Sequence, residues 1–504
     1  MITSILTGSF LWAGSMIALI LYIVFITAIC VKIIFDTTSV SKTLGYLVLI
    51  VFLPLFGVIL YLSLGVNYRN KAMYDKKLEY NGDLKDEIYE YTKHIDQDPL
   101  AIDNPVIEQF KRLAHSVATE DAHWMSLNND VKLLKNGENK YPEVLKEIAK
   151  AKETIHIEYY IVRNDGIGNE IKNALIKKAK EGVKVRFIYD DFGSSKIRKA
   201  FAQEMRDAGI EVFAFRKLLF IFWANRVNYR NHRKIIVIDG RVGFVGGINI
   251  GDDYINVPNS GKPILRDMHV RLEGYSCYAL QHLFLSDWNF CSKQKVEPNA
   301  ELFPLDLRED KGTTAVQIVA SGPDSEEPYI MNSVMQAIAL AEKEVLITTP
   351  YFIPTEQILT MLKIAARSQV KVKLLVPERT NSLLVRMASR ALYLDLLRAG
   401  VEIYHYRKGF IHAKTSVYDR SLAMIGTANM DIRSFDLNFE VNSIMYDRDF
   451  AEKMTAQFYE DLENAVPVTL EEWEKRPKYK VFADKFVYLA SSLRSEERRS
   501  ELQS

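Results

Sequence analysis

The apolar positions divide the chain into unlike parts. Residues 2–31 and 43–66 contain no Asp, Glu, Lys or Arg, and each run exceeds the roughly 20 residues that a helix needs to cross a bilayer. They predict two membrane helices, residues 1–35 and 43–67, with Pro54 and Gly57 bending the second, which membrane helices tolerate. No Lys or Arg precedes the first run and a second run follows closely, unlike a cleaved signal peptide. Arg69, Lys71, Lys76 and Lys77 follow the second run, whereas the connecting loop offers only Lys32 and Lys42. The positive-inside rule then puts the bulk of the chain on the cytoplasmic side of the cell membrane, as a multi-pass protein. Residues 68–129 are polar, charged and without sustained period, which predicts a partly helical connector.

From residue 130 short strand patterns alternate with helical ones. Strands are predicted at 154–162 and 183–189 with a helix at 171–180 between them. The plan returns at 344–349, 370–376 and 401–404, with helices at 358–366 and up to residue 397. Strand, helix, strand in this order predicts an α/β fold with mixed, mostly parallel sheets. Gly-Val-Lys-Val-Arg at residues 182–186 answers Gln-Val-Lys-Val-Lys at 369–373. Two duplicated domains, 130–300 and 313–466, are therefore expected around a pseudo-twofold axis, with 301–312 as linker. Residues 467–504 read as an amphipathic tail with a charged end.

The 65 basic and 64 acidic side chains nearly cancel over 504 residues, so no nucleic-acid partner is expected. Cys30, Cys277 and Cys291 form no disulfide framework. Residues 216–226, Arg-Lys-Leu-Leu-Phe-Ile-Phe-Trp-Ala-Asn-Arg, put Trp223 and other apolar side chains between cations. Such a stretch suits either the lipid headgroup zone or an ordinary buried connection.

The candidate chemistry is written twice. Residues 231–249 carry His-x-Lys, four residues, Asp, six residues, then Gly, a small residue, any residue and Asn; residues 411–429 repeat that skeleton. Each copy reads as a strand closing in a turn, on which His and Lys two apart share a face. An imidazole beside an ammonium suits attack on a phosphoester: the ring supplies a nucleophile or a proton, and the cation offsets charge gathering on phosphoryl oxygens. One copy is half a site. Two copies face to face supply two imidazoles, two lysines and two asparagines around one phosphate.

The paired motifs resemble the phospholipase D superfamily, whose members use such a site without metal or other cofactor. The resemblance makes His232, Lys234, Asp239, His412, Lys414 and Asp419 catalytic-site residues, and Asn249, Asn429 and Thr427 phosphate-binding candidates. It also implies a carboxylate that orients a site imidazole, for which Glu440 is the candidate, and it favours His232 as nucleophile. Asp239 and Asp419 fall at the far ends of their strands, where they are expected to hold geometry. Gly247 stands where many relatives have Ser or Thr, whereas the second copy keeps Thr427, so the halves are expected to differ in role. The apolar N-terminus, Gly65-Val-Asn-Tyr-Arg69, Ile157-Glu-Tyr-Tyr160, Asp190-Asp-Phe-Gly-Ser194 and Thr349-Pro-Tyr-Phe352 extend the resemblance to bacterial cardiolipin synthases. That resemblance implies two phospholipase D-like domains that move a phosphatidyl group between two phosphatidylglycerol molecules through a phosphohistidine. A phospholipase D that hydrolyses lipids to phosphatidic acid, a membrane-bound nuclease and a non-catalytic membrane scaffold are the rival readings.

Overall fold

A computed structural model describes residues 2–36, 40–61, 77, 84–93, 98–119, 124–195, 197, 199–215, 230–257, 263–307 and 312–491. The stretch 216–226 with Trp223, the cations Arg69, Lys71 and Lys76, the 65–69 motif and the charged end of the tail lie outside the described residues.

The helix Ile2–Asp36 contains Met16–Phe35, which by length and composition is able to cross a membrane, and it is the one such helix among the described residues. The expected second span is instead two short helices, Val40–Phe52 and Pro54–Leu60, packed on each other. Pro54 lacks an N–H and clashes with the preceding turn. The chain reverses at Leu53, and Gly57 lies so close to Ile50 that a Cβ would stand 2.7 Å from its backbone nitrogen. The longer piece, 13 residues, reaches about 20 Å, short of a hydrocarbon core of roughly 30 Å.

The main body opens with β1 (Met125–Lys135), earlier than expected, and continues with β2 (Thr154–Tyr159), β3 (Lys184–Tyr189), β4 (Glu211–Ala214), β5 (Lys234–Ile238), β6 (Val242–Gly246), β7 (Ile264–Arg266) and β8 (Met268–Glu273). The second lobe follows with β9 (Thr314–Ser321), β10 (Glu344–Thr348), β11 (Phe352–Ile353), β12 (Lys371–Pro377), β13 (Glu402–Tyr406), β14 (Gly409–Ile411), β15 (Thr415–Tyr418), β16 (Leu422–Gly426), β17 (Met430–Asp431), β18 (Glu440–Tyr446) and β19 (Ala465–Val468). Apart from β7, β11, β14 and β17 these form one sheet in the order β19-β13-β12-β10-β15-β16-β18-β9-β1-β8-β6-β5-β2-β3-β4. The antiparallel pair β1 and β9 marks its middle, and outward from it the two lobes repeat strand for strand until β19, which adds an edge strand to the second lobe alone. The sheet is mixed but, against the expectation of mostly parallel sheets, antiparallel pairs predominate: β2, β3 and β4 run parallel in one lobe and β10, β12 and β13 in the other, while the motif hairpins, whose strands short turns join, and the central strands pair antiparallel.

Burial explains why the lobes stay together. Ile236 and Phe244 face the outer helices of the first lobe, whereas their neighbours Ile235, Val237 and Val245 share a central core with Val417 and Ile425 of the second. The period of two along each strand thus fills two apolar layers. Trp288, from the helix Ser276–Ser292, is fully buried in the central layer. The connector is more than a spacer: Val106 and Ile107 on the helix Pro105–Gln109, Leu113 on the helix Lys111–Ala118 and Phe110 at the junction between them belong to the outer core of the second lobe.

Candidate active site

Each repeated motif is anchored by backbone from the opposite lobe. The amide of His232 donates to the carbonyl of Phe439 at 3.0 Å, and that of His412 to the carbonyl of Arg266 at 2.7 Å. Parallel pairing of β14 with β7 and a bridge between Asn231 and Phe439 hold these crossings. Both histidines fall just before β5 and β15, at the edge where β2 and β10 end.

The residue after each anchoring carbonyl is a carboxylate that meets the ring. Glu440, in the second lobe, lies 2.9 Å from Nδ1 of His232 in the first. Asp267, in the first lobe, lies 2.7 Å from Nδ1 of His412 in the second. A carboxylate on Nδ1 orients the ring and leaves Nε2 for chemistry. Asp267 was not among the sequence candidates. Its signal is the position it shares with Glu440, at the start of the strand that follows the motif hairpin, where Gly247 and Thr427 donate their amides to the next residue's carbonyl.

The two carboxylates are packed differently. Thr427 Oγ1 donates to Glu440 at 2.5 Å and Asn438 Nδ2 at 3.1 Å. On the other side there is no room for a threonine, because a Cβ at Gly247 would overlap the carboxylate of Asp267. The shorter acid sits against glycine and the longer acid against a hydroxyl, so the departure seen at Gly247 is matched by the length of its partner.

Charge separates the pairs further. Burial, Lys414 and Lys234 bring the proton affinity of His412 down to about 4, against the pull of Asp267. Burial opposes ionisation of Asp267, yet Lys414 and His412 hold it below the usual carboxylate range. Glu440 is raised by burial to about 7, with Lys234 and its hydrogen bonds opposing the rise. Lys234, two residues from His232, therefore acts on His412 and on Glu440 alike. The two motifs share one electrostatic site.

The lysines sit close. Lys234 Nζ donates to the His232 carbonyl at 2.6 Å, and Lys414 Nζ lies 3.0 Å from Nε2 of His412. Asp239 and Asp419 are away from the rings. Each caps the start of a neighbouring strand: Asp239 accepts from the amides of Lys152, Glu153 and Thr154, and Asp419 from those of Glu342, Lys343 and Glu344. Both take positive φ, 52° and 51°, in tight turns that Asp tolerates. Asn249 is engaged, its Nδ2 donating to Tyr254 at 2.5 Å and its Oδ1 accepting from Ile161. The ring of Tyr254 lies 6.3 Å from that of His412, so this asparagine supports the opposite half. Asn429 Oδ1 is buried and has no hydrogen-bond partner among the described residues.

Behind His232, Arg233 Nη1 meets Asp287 at 2.5 Å, and Lys77 Nζ bridges Asp287 and Asp324 at 2.5 and 2.7 Å. Lys77 also lies 4.5 Å over the ring of Phe439, the residue whose carbonyl anchors His232. The chain following the N-terminal helices is thus pinned beneath the site. Among the described residues no group of three or more His, Cys, Asp or Glu is disposed to hold a metal ion.

Comparison with known proteins gives a consistent family. A family model described as "Cardiolipin synthase, PLD-like domain" matches residues 144–258 and 334–462, and one described as "Phospholipase_D-nuclease N-terminal" matches residues 16–65. A cardiolipin synthase of Geobacillus sp. (strain WCH70) is 42% identical over 441 residues, 87% of this chain and 86% of that protein. Cardiolipin synthase 2 of Bacillus anthracis is 40% identical over 90% of this chain and 87% of its own length. The crystal structure of a phosphatidylserine synthase from Haemophilus influenzae Rd KW20 superposes with a TM-score of 0.56 at 14% identity, covering 76% of this chain and 99% of that one, a likeness of fold.

Proposed function

The chain belongs to the cardiolipin synthases of the phospholipase D superfamily, and is a phosphatidyltransferase; from this premise we propose that its two half-sites join two phosphatidylglycerol molecules into cardiolipin and glycerol. One imidazole attacks the donor phosphorus through Nε2, forming a P–N bond, while the other gives its proton to the departing glycerol oxygen. The second ring, now neutral, takes the proton from the acceptor's glycerol hydroxyl, whose oxygen displaces the first ring and regenerates it. An imidazole serves both steps near neutral pH. Lys234 and Lys414 offset charge on the phosphoryl oxygens, and Asp267 and Glu440 stabilise whichever imidazolium forms.

The observation that supports this reading best is the reciprocal pairing of His232 with Glu440 and of His412 with Asp267 across the lobes. A scaffold has no use for two imidazole–carboxylate pairs that each need both lobes. His232 is only 4% exposed, which supports transfer over hydrolysis because water is kept from the covalent intermediate. The apolar helix holds the enzyme at the membrane, where lipid substrates are concentrated; the basic residues after the N-terminal helices support a cytoplasmic orientation of the lobes. The test is mass analysis of lipids from cells expressing wild type or His412→Ala. Wild type raises cardiolipin and the variant does not; phosphatidic acid as the main product, or turnover undiminished in the variant, overturns the proposal.

A further inference from the structure

The two residues that anchor the histidines are equivalent by position and unlike in charge. Gly246 stands opposite His269 in the first lobe and Gly426 opposite Asn442 in the second. Asp267 therefore corresponds to Glu440, and Arg266, which precedes it, to Phe439. In the His412 half the anchor carries its own cation. Arg266 Nε lies 2.8 Å from Asp461, both side chains almost wholly buried, and ties β7 of the first lobe to the second-lobe helix Arg448–Leu462. The backbone bond from His412 to Arg266 is thus backed by a salt bridge across the same lobe boundary. Phe439 has no charge to offer.

The His232 half receives its cation from a third part of the chain. Lys77 belongs to neither lobe and follows the N-terminal helices in sequence. Its Nζ lies 4.5 Å over the Phe439 ring and joins Asp287, on the first-lobe helix Ser276–Ser292, to Asp324, just after β9 of the second lobe, at 2.5 and 2.7 Å. Like Arg266, it bridges the lobes beside the residue whose carbonyl holds a histidine. The surroundings are fitted to this charge. Burial works against the ammonium, yet Asp287 and Asp324 keep its proton affinity above the ordinary lysine value. Burial also opposes the Asp287 carboxylate, which Arg233 and Lys77 nevertheless hold down to about 2, while burial and Asp287 push the adjoining Glu158 well above the carboxylate range, so that it keeps its proton. Two cations, Lys77 and Arg233, then meet two carboxylates, Asp287 and Asp324. The register of β2 on β5 and of β10 on β15 puts Thr348 in the second half where Glu158 stands in the first, and the motif puts Ala413 where Arg233 stands. The charged cluster belongs to the first half.

We propose that Lys77 is a positioning residue for the His232 half-site: it clamps the lobes together across Phe439, as Arg266 does beside His412, so that chain from outside both lobes sets the placing of one reacting imidazole. This assignment rests on the transfer reading above, in which His232 reacts. It is tested with full-length protein in mixed micelles of phosphatidylglycerol, by initial rates of cardiolipin formation beside melting temperatures. Lys77→Met leaves two buried carboxylates to one guanidinium, which costs stability as well as the clamp. Lys77→Met combined with Asp324→Asn restores the balance of charge without restoring a bridge between the lobes. The single variant is expected to lower kcat by about tenfold or more with KM within about twofold, and Lys77→Arg to recover part of the loss. The double variant is expected to melt close to wild type while its kcat stays low. An unchanged kcat in Lys77→Met, a rise in KM in place of the fall in kcat, or a kcat that returns with stability in the double variant overturns the clamp. Full turnover by His232→Ala overturns the transfer reading, and the clamp with it.

Discussion

Replacing Glu440 by Gln should move stability and activity in opposite directions. The carboxylate is fully buried and raised from 4.5 to about 7, mainly by burial. Because its folded value exceeds the unfolded one, the contribution to stability is complete below about pH 4.5 and is lost as pH rises through about 7. At 1.36 kcal/mol per tenfold in proton affinity the cost at pH 8 is about 3 kcal/mol, an upper bound because the neighbouring Lys234 responds as well. Gln keeps the shape and never ionises, so the variant should melt several degrees above wild type at pH 8 and near it at pH 5. Activity should fall, since Glu440 meets Nδ1 of His232 at 2.9 Å. A charge-assisted hydrogen bond is worth roughly 1.5–3 kcal/mol, and loss of a triad carboxylate costs about 10⁴-fold, which brackets the decrease between about 10²- and 10⁴-fold in kcat. Scanning calorimetry at both pH values and initial rates of cardiolipin formation provide the two readouts. A variant that keeps wild-type kcat, or gains no stability at pH 8 relative to pH 5, would falsify the assignment of Glu440 as the buried partner of His232.

The difference between the two carboxylate seats gives a second prediction: Gly247→Ala, whose Cβ would displace Asp267, should lower kcat about 10²-fold, whereas Thr427→Val, which removes one hydroxyl from Glu440, should cost about tenfold; rates falling in the opposite order would contradict it. Asp239→Asn should act on the fold, lowering the melting temperature through weakened caps at three amides, each hydrogen bond being worth about 0.5–1.5 kcal/mol, while leaving KM near wild type. A large rise in KM with unchanged stability would instead put that carboxylate at the substrate.

The duplication was readable because it recurs at two levels, in the motif spacing and in the strand order around it, and the residues it marks are gathered by strands whose register follows from alternating apolar positions. Asp267 was hidden because its partner lies 145 residues away and across the lobe boundary; local pattern carries no trace of which lobe a carboxylate will face. Glu440 was found only by resemblance, and its partner is the histidine of the other copy, 208 residues back. Hydropathy suggested a second membrane span because it registers composition, whereas the reversal at Leu53–Pro54 depends on one missing N–H and on the space left by Gly57. The connector was expected to be partly helical, but the places of the helices Pro105–Gln109 and Lys111–Ala118 were concealed by their shortness. Four or five apolar residues cannot establish a helical period, yet here they complete a core.

The central claim is that both imidazoles serve one phosphorus atom, and trapping of the intermediate in alkali tests it most directly. Enzyme mixed with phosphatidylglycerol labelled in the phosphate should be quenched within the first turnover under alkaline conditions that preserve phosphohistidine, then digested and mapped. The account predicts label on one of His232 and His412, lost when that residue is changed to Ala and accumulating when the other is changed. Label on neither histidine during active turnover, or on both with each half working alone in the single variants, would contradict it.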